Sequence, residues 1–286
     1  DLGAIFTSGF NRAGFKYATL SRTSTLSKQL SMFFKYYINV LCCGRTETSE
    51  GYGEEPFSLK GSCEEVKQRE ISIVYSGGDD VFIVGAWDKV IEFAVDLYNA
   101  YKKFTGGKTH FSAGIAMFRP GFPVYQMANL TGELEAFAKY QEGKNSVALF
   151  GSEPSEDMDG AEEFRHVYKW DDFIQKVMGE KLRSLQKWFS PGGRGSVSRE
   201  KLPIGNSFLY RMLQLLKEAE GDRINVARLA YTLARIEPSQ SEKMSSYREA
   251  KKLIYQWILD ESDRKQLITA IIILIYLNRE RRDNNG

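Results

Sequence analysis

Histidine and cysteine are scarce in this 286-residue sequence, and neither forms a metal-binding pattern. The only histidines, His110 and His166, lie far apart and no His-Asp pair occurs, so a histidine-metal nuclease has no support. Cys42, Cys43 and Cys63 are odd in number, two are adjacent, and no C-x-x-C spacing exists. That excludes a disulfide framework or zinc ribbon and points to partly buried free thiols in a reducing cytoplasm. Long apolar runs are also missing. Residues 267–277 (LITAIIILIYL) form one near-continuous stretch, well short of the roughly 20 residues that span a bilayer. A buried helix is expected there, and no membrane partner. Charge of one sign is lacking too: 39 Lys and Arg against 37 Asp and Glu leave +2. No global field then draws the chain to nucleic acid, and any RNA contact must come from a local patch or a partner. The start, Asp1-Leu2-Gly3-Ala4-Ile5-Phe6, has no basic leader followed by an apolar core, so it is not a signal peptide. It also has no initiating Met, and a fragment of a longer protein is expected.

Periodicity is what the chain has instead. Over residues 25–41, Leu26, Leu30, Phe33, Phe34, Tyr37, Ile38 and Leu41 recur at helical spacing. Residues 44–61, rich in Gly, Ser, Thr and Glu, read as an exposed, mobile loop. Residues 71–75 (ISIVY) and 81–84 (VFIV) are β-branched runs around Ser76-Gly77-Gly78-Asp79-Asp80, which predicts a β-hairpin. Asp88 is placed to cap a helix with Ile91, Ala94, Val95, Tyr98 and Tyr101 inward, ended by Gly106-Gly107. A strand over 110–118, a helix to about Gln141 and a last strand over 146–150 complete the unit. With one strand added before residue 1, the order is that of a split β-α-β, ferredoxin-like fold.

The texture changes after Gly151. Residues 152–163 are acidic and polar, a linker. From Trp170 the periodicity is helical. Stripes run from Phe173 to Phe189, Phe208 to Leu216, Ile224 to Ile236, Tyr247 to Leu259 and Lys265 to Leu277, with a flexible Ser190–Gly195 loop after the first. The expectation is an α+β domain over residues 1–151 and a helical bundle of about five helices over 165–286, with spare apolar surface for docking other subunits.

The hairpin turn carries the chemistry. Two adjacent carboxylates repel unless a cation lies beside them. A glycine pair lets a phosphate approach the backbone. Oxygen ligands with phosphate select magnesium, manganese or a similar hard divalent ion, which suits phosphoryl or nucleotidyl transfer. Glycine and aspartate are equally common in turns for conformational reasons, and the four residues alone leave both readings open. Ser76 either contacts nucleotide or stabilises the turn, and Tyr75 and Phe82 are expected to pack against neighbours. Arg279, Arg281 and Arg282 read as a solvated helix end, with an RNA or subunit contact as the alternative.

Context on both sides of the turn narrows this. The segment YSGGDDVFIVG resembles the palm domain of diguanylate cyclases (the GGDEF type) and class III nucleotidyl cyclases. More closely, the chain resembles the second palm of the large subunit of type III CRISPR effector complexes. Four matches carry this: Leu2-Gly3-Ala4-Ile5-Phe6, Leu26-Ser27 through Leu30-Ser31 to Phe33-Phe34, Phe111-Ser112-Ala113-Gly114-Ile115, and Ala138-Lys139 through Gly143-Lys144-Asn145. They cover residues 1–151, and the helical tail fits the family's last domain. Leu229-Ala230-Tyr231-Thr232-Leu233-Ala234-Arg235 leans toward the Csm (III-A) branch.

The resemblance implies a ferredoxin-like palm that makes cyclic oligoadenylate from ATP with magnesium or manganese. It implies Asp79 and Asp80 as catalytic metal ligands and Ser76, Gly77, Gly78, Lys139 and Lys144 as nucleotide contacts. For Lys144, a role as complement to the helix dipole remains equally open. Implied partners are the first palm of the same large subunit, the other effector subunits, and crRNA and target RNA through the complex. The family's strand carries two further acids just upstream of Leu2-Gly3, and Asp1 falls by spacing at the neighbouring asparagine position. The metal site is therefore expected to be completed by residues preceding this chain. The alternatives are a degenerate palm acting as scaffold, and a diguanylate-cyclase-like enzyme.

Overall fold

Thr19, in extended backbone, accepts the Arg22 N–H on its Oγ1 at 3.4 Å and starts the first helix at Leu20. The apolar pattern alone begins the helix later, because this capping turn is polar. Helix α1 runs Leu20–Met32, loosens into a π-helical turn over Phe33–Tyr37 and closes as Ile38–Cys42. The computed structural model describes residues 19–43, 56–61, 68–77, 80–151, 166–191, 202–219, 223–239 and 241–283. It divides into two units, Asp1–Val167 and Tyr168–Gly286. Both are built of helices with small sheets, a mixed α+β architecture.

In the first unit, strands β1 (Ile71–Gly77) and β2 (Asp80–Gly85) form an antiparallel hairpin, followed by helix α2 (Trp87–Phe104). Leu30, Phe33, Phe34, Ile38 and Leu41 of α1 pack against Phe93, Leu97 and Tyr101 of α2, and Ile71, Ile73, Val81 and Ile83 close the cluster from the hairpin. Full burial of each large apolar side chain contributes about 1.5–3 kcal/mol. Helix α2 is not capped by Asp88. Ala86 holds the cap position without a side-chain bond, and Asp88 is buried in the first turn.

Asp88 belongs to a row. Asp88, Glu92 and Asp96 stand four residues apart on one face of α2, and all three are buried. Lys89 Nζ lies 3.2 Å from Asp88 and 3.1 Å from Glu92. Glu92 accepts the Leu59 N–H, Asp96 accepts the Phe57 N–H, both at 2.9 Å, and Asp96 pairs with Arg69. Buried charge persists where it is paired and hydrogen-bonded. The segment expected to be a mobile loop is thus pinned at its end: Leu59 is fully buried, while residues 44–55 lie outside those described.

The remaining strands of this unit form a second sheet of order β3-β4-β5, with β3 (Ala113–Ala116) parallel to β4 (Ser146–Gly151) and helix α3 (Val124–Tyr140) between them. Strand β5 (His166–Lys169) was not foreseen in the sequence, and the division into units falls within it. Among the described residues the hairpin and this sheet are separate rather than one continuous sheet. Helix α3 lies so close to β3 that a Cβ on Gly114 would stand 2.5 Å from the Thr131 carbonyl oxygen and 2.7 Å from the Glu135 nitrogen. The expected linker, 152–163, lies outside the described residues.

The second unit opens with α4, which runs Trp170–Asp172, turns π-helical over Phe173–Leu182 and ends as Arg183–Trp188. Helices α5 (Asn206–Glu218), α6 (Arg223–Ala234), α7 (Ser241–Leu259) and α8 (Glu261–Asp283) follow. The apolar 267–277 run is the buried centre of α8, and among the described residues no helix is long and apolar enough to cross a membrane. The unit is not purely helical: β6 (Phe189–Pro191) pairs in parallel with β7 (Leu202–Ile204), flanking residues expected to form only a loop. Lys181 is fully buried, with its ammonium 2.9 Å from Asp263 and 5.2 Å from the centre of the Trp257 ring.

Candidate active site

Strand β1 begins as ordinary alternation. Ile71 and Ile73 face the core; Ser72 and Val74 face out. A bulge then intervenes: Ile73 pairs with Ile83, but the next pair is Tyr75 with Phe82. One extra residue inverts the faces that follow. Tyr75, which strict alternation would send inward, is 55 % exposed, and Ser76 turns inward opposite Val81. Tyr75 therefore does not pack as expected, whereas Phe82 is half-buried.

The Ser76 hydroxyl donates to the backbone carbonyl of Phe34, inside the π-helical turn of α1. Gly77 pairs with Asp80 across the turn. The turn residues Gly78 and Asp79 themselves lie outside the described residues. A Cβ on Gly77 would come within 3.0 Å of the Tyr75 hydroxyl, so glycine leaves room for that phenol. Asp80 is exposed at the first position of β2, and its carboxylate takes no partner among the described residues. An exposed, uncommitted oxygen donor of this kind fits a hard divalent ion.

The two lysines flank a second turn. Lys139, in the last turn of α3, pairs with Glu135 at 2.7 Å on the surface, a contact worth about 0.3–0.5 kcal/mol and easily exchanged for phosphate. Lys144 and Asn145 both adopt left-handed backbone, φ 52° and 53°. Asparagine enters this region readily, but for lysine it is strained, and such strain concentrates at functional sites. The turn is held in place: Ser146 Oγ donates to the Lys144 carbonyl at 2.8 Å, and Asn145 Nδ2 lies 3.4 Å from the Tyr98 hydroxyl of α2. Ser76, Gly77 and Asp80 thus stand together on the hairpin, and Lys139 and Lys144 together at the α3–β4 turn, on separate sheets. An apolar groove of about 820 Å³ runs between α1 and the end of α2, past Leu26, Phe33, Tyr37 and Phe104, and none of these predicted residues lines it.

His166 is buried against the Phe150 ring, and no cluster of three metal-binding side chains exists among the described residues. Arg279 is not simply solvated, since its guanidinium lies 5.7 and 5.3 Å from the Tyr210 and Tyr276 ring centres. The side chains of Arg281 and Arg282 lie outside the described residues.

Residues 1–148 match the family described as Cas10/Cmr2, second palm domain, and residues 187–280 match the second helical domain of the CRISPR RNA silencing complex Cmr2 subunit. The chain belongs to the Cas10/Cmr2 family. It is similar to the CRISPR system single-strand-specific deoxyribonuclease Cas10/Csm1 (subtype III-A) of Mycobacterium tuberculosis, with 39% identity over 281 residues, 98% of this chain and 31% of that protein. The same-named protein of Streptococcus thermophilus is 35% identical over 280 residues, 96% of this chain and 31% of its own length. The chain therefore spans about a third of the length of these curated relatives. Among solved structures it is similar to a Csm1–Csm4 cassette in complex with cA4, with TM-score 0.61, 26% identity, and 96% of this chain and 35% of that one covered. The cassette with AMPPNP gives TM-score 0.58 and 27% identity, covering 96% of this chain and 34% of that one. The Cas10/Cmr2 palm match includes every predicted site residue, from Ser76 to Lys144.

Proposed function

We propose that this Cas10/Cmr2 chain supplies one of two palms that join ATP into 3′–5′-linked cyclic oligoadenylate in a type III-A effector complex. The observation that carries this is the Gly77–Asp80 pairing at the end of the hairpin, which leaves Asp80 exposed. The likeness to Csm1–Csm4 cassettes solved with ATP and with cA4 supports it. Residues 1–151 form the palm, ferredoxin-like once an upstream strand joins the hairpin to β3. Residues 165–286 form the helical domain, which docks other subunits, a Csm4-like protein among them. The first palm, crRNA and target RNA complete the assembly, in the cytoplasm.

In the reaction, the 3′-hydroxyl of one nucleotide attacks the α-phosphorus of another, and pyrophosphate leaves. Asp79 and Asp80 would hold magnesium or manganese, whose positive charge would offset the negative charge building on the phosphates. Gly77 and Gly78 let the triphosphate approach the backbone. Lys139, released from Glu135, and Lys144 contact its oxygens as point charges. Held in line, the two nucleotides react as if in one molecule. Asp79→Ala/Asp80→Ala in the assembled complex tests this. Oligoadenylate synthesis that depends on magnesium or manganese should vanish, and full synthesis by that variant would sink the assignment. A palm kept only as scaffold would bind neither ATP nor manganese in either form.

A further inference from the structure

We propose that Ser76 is a positioning residue that locks the Gly77–Asp80 turn to helix α1, and not a contact to nucleotide. The inference rests on the reading above that this turn carries the metal ligands. Two backbone irregularities meet at this one hydroxyl. On the strand side, the bulge at Val74 rotates Ser76 from the outer to the inner face. On the helix side, α1 is π-helical over Phe33–Tyr37, and the Ile38 N–H reaches the Phe33 carbonyl. In an α-helix that N–H would bond the Phe34 carbonyl. It is the Phe34 carbonyl that accepts the Ser76 hydroxyl.

Bulges and π-turns each weaken a regular ladder, and both concentrate beside functional sites. Here the bulge is not explained by packing. Regular alternation would bury Tyr75, a large and favourable side chain, yet it is exposed while a serine is turned in. The product of both distortions is a fixed distance between α1 and the residue before Gly77. Serine has one O–H to donate, and that proton is committed to Phe34. Triphosphate oxygens only accept, so Ser76 has no proton to offer them without breaking the tether. The tether acts one residue from the turn that holds Asp79 and Asp80, so its loss misplaces carboxylates rather than nucleotide.

The test compares Ser76→Ala, Ser76→Thr and Asp79→Ala/Asp80→Ala in the full-length protein within its effector complex. Ser76→Ala should lower kcat about three- to tenfold, the worth of one neutral hydrogen bond. It should raise the half-saturating manganese concentration by a similar factor and leave the KM for ATP within about twofold. Ser76→Thr, which keeps the hydroxyl, should restore all three values. Hydrogen exchange supplies a readout independent of activity: in Ser76→Ala, amides of 33–38 and 71–77 should exchange faster together, while 91–101 stay unchanged. A raised KM with unchanged kcat, unchanged exchange, or no rescue by threonine would each overturn the proposal. Full activity in the double aspartate variant would instead remove the proposed function, and the exchange comparison would then decide the Ser76 tether by itself.

Discussion

The Arg69 guanidinium and the Asp96 carboxylate form an ion pair in the interior of the first unit, 27 residues apart in the chain. Arg69 also donates to the Leu41 carbonyl at 3.0 Å, and Asp96 accepts the Phe57 N–H. One pair therefore ties the end of α1, the segment entering β1 and α2. Removing one partner leaves the other charge buried and unpaired. Asp96→Ala should cost about 3–5 kcal/mol, read as a lower urea midpoint. A loss below about 1 kcal/mol, the size of a surface pair, would show that the pair does not hold these elements.

Gly114→Ala should destabilise the palm by about 1–3 kcal/mol, the usual cost of overpacking. The new methyl meets backbone atoms of Thr131 and Glu135, which cannot rotate away. Because α3 carries Lys139, oligoadenylate synthesis should fall more steeply than stability accounts for. A thermal midpoint matching wild type would mean that α3 is not seated as closely as described.

Alkaline pH should loosen the second unit through Tyr168. Burial pushes this phenol well above its ordinary value of 10.0, against a smaller lowering from its hydrogen bond with Thr269. The unfolded chain thus ionises first. The stabilisation is present in full below about pH 10 and is lost as pH climbs toward the folded value. Tyr168→Phe should flatten the stability-against-pH curve above pH 10, at a cost of about 1 kcal/mol at neutral pH for its bonds to Thr269 and the Lys265 carbonyl. An unchanged alkaline slope would exclude Tyr168 as its source.

Expressed alone, this chain should make no product from ATP and manganese. Holding two nucleotides in line supplies about 7–11 kcal/mol of such a barrier, and one palm seats only one of them. Activity should return when the amino-terminal part of the relatives' length is supplied. Robust synthesis by the isolated chain, first order in its concentration, would refute the two-palm reading.

What the sequence by itself determined is what short-range pattern can encode. Two β-branched runs about Gly77–Asp80 make a hairpin whatever surrounds them, and helical stripes from Phe173 to Leu277 make helices. Four short motifs, in order, were enough to bring the family into view. Tertiary structure decided the rest. Glu92 and Asp96 stay on the buried face of α2 because Leu59, Phe57 and Arg69 arrive from elsewhere to pair with them. Lys181 is held in the interior by Asp263, 82 residues on, which pairs with its ammonium. Ser76 points inward only because a bulge at Val74 and a π-turn at Phe34 meet there. The physical reason is common to all three. A period says which residues share a face, but a polar side chain stays on a buried face only when its partner is there, and that partner is brought by the fold.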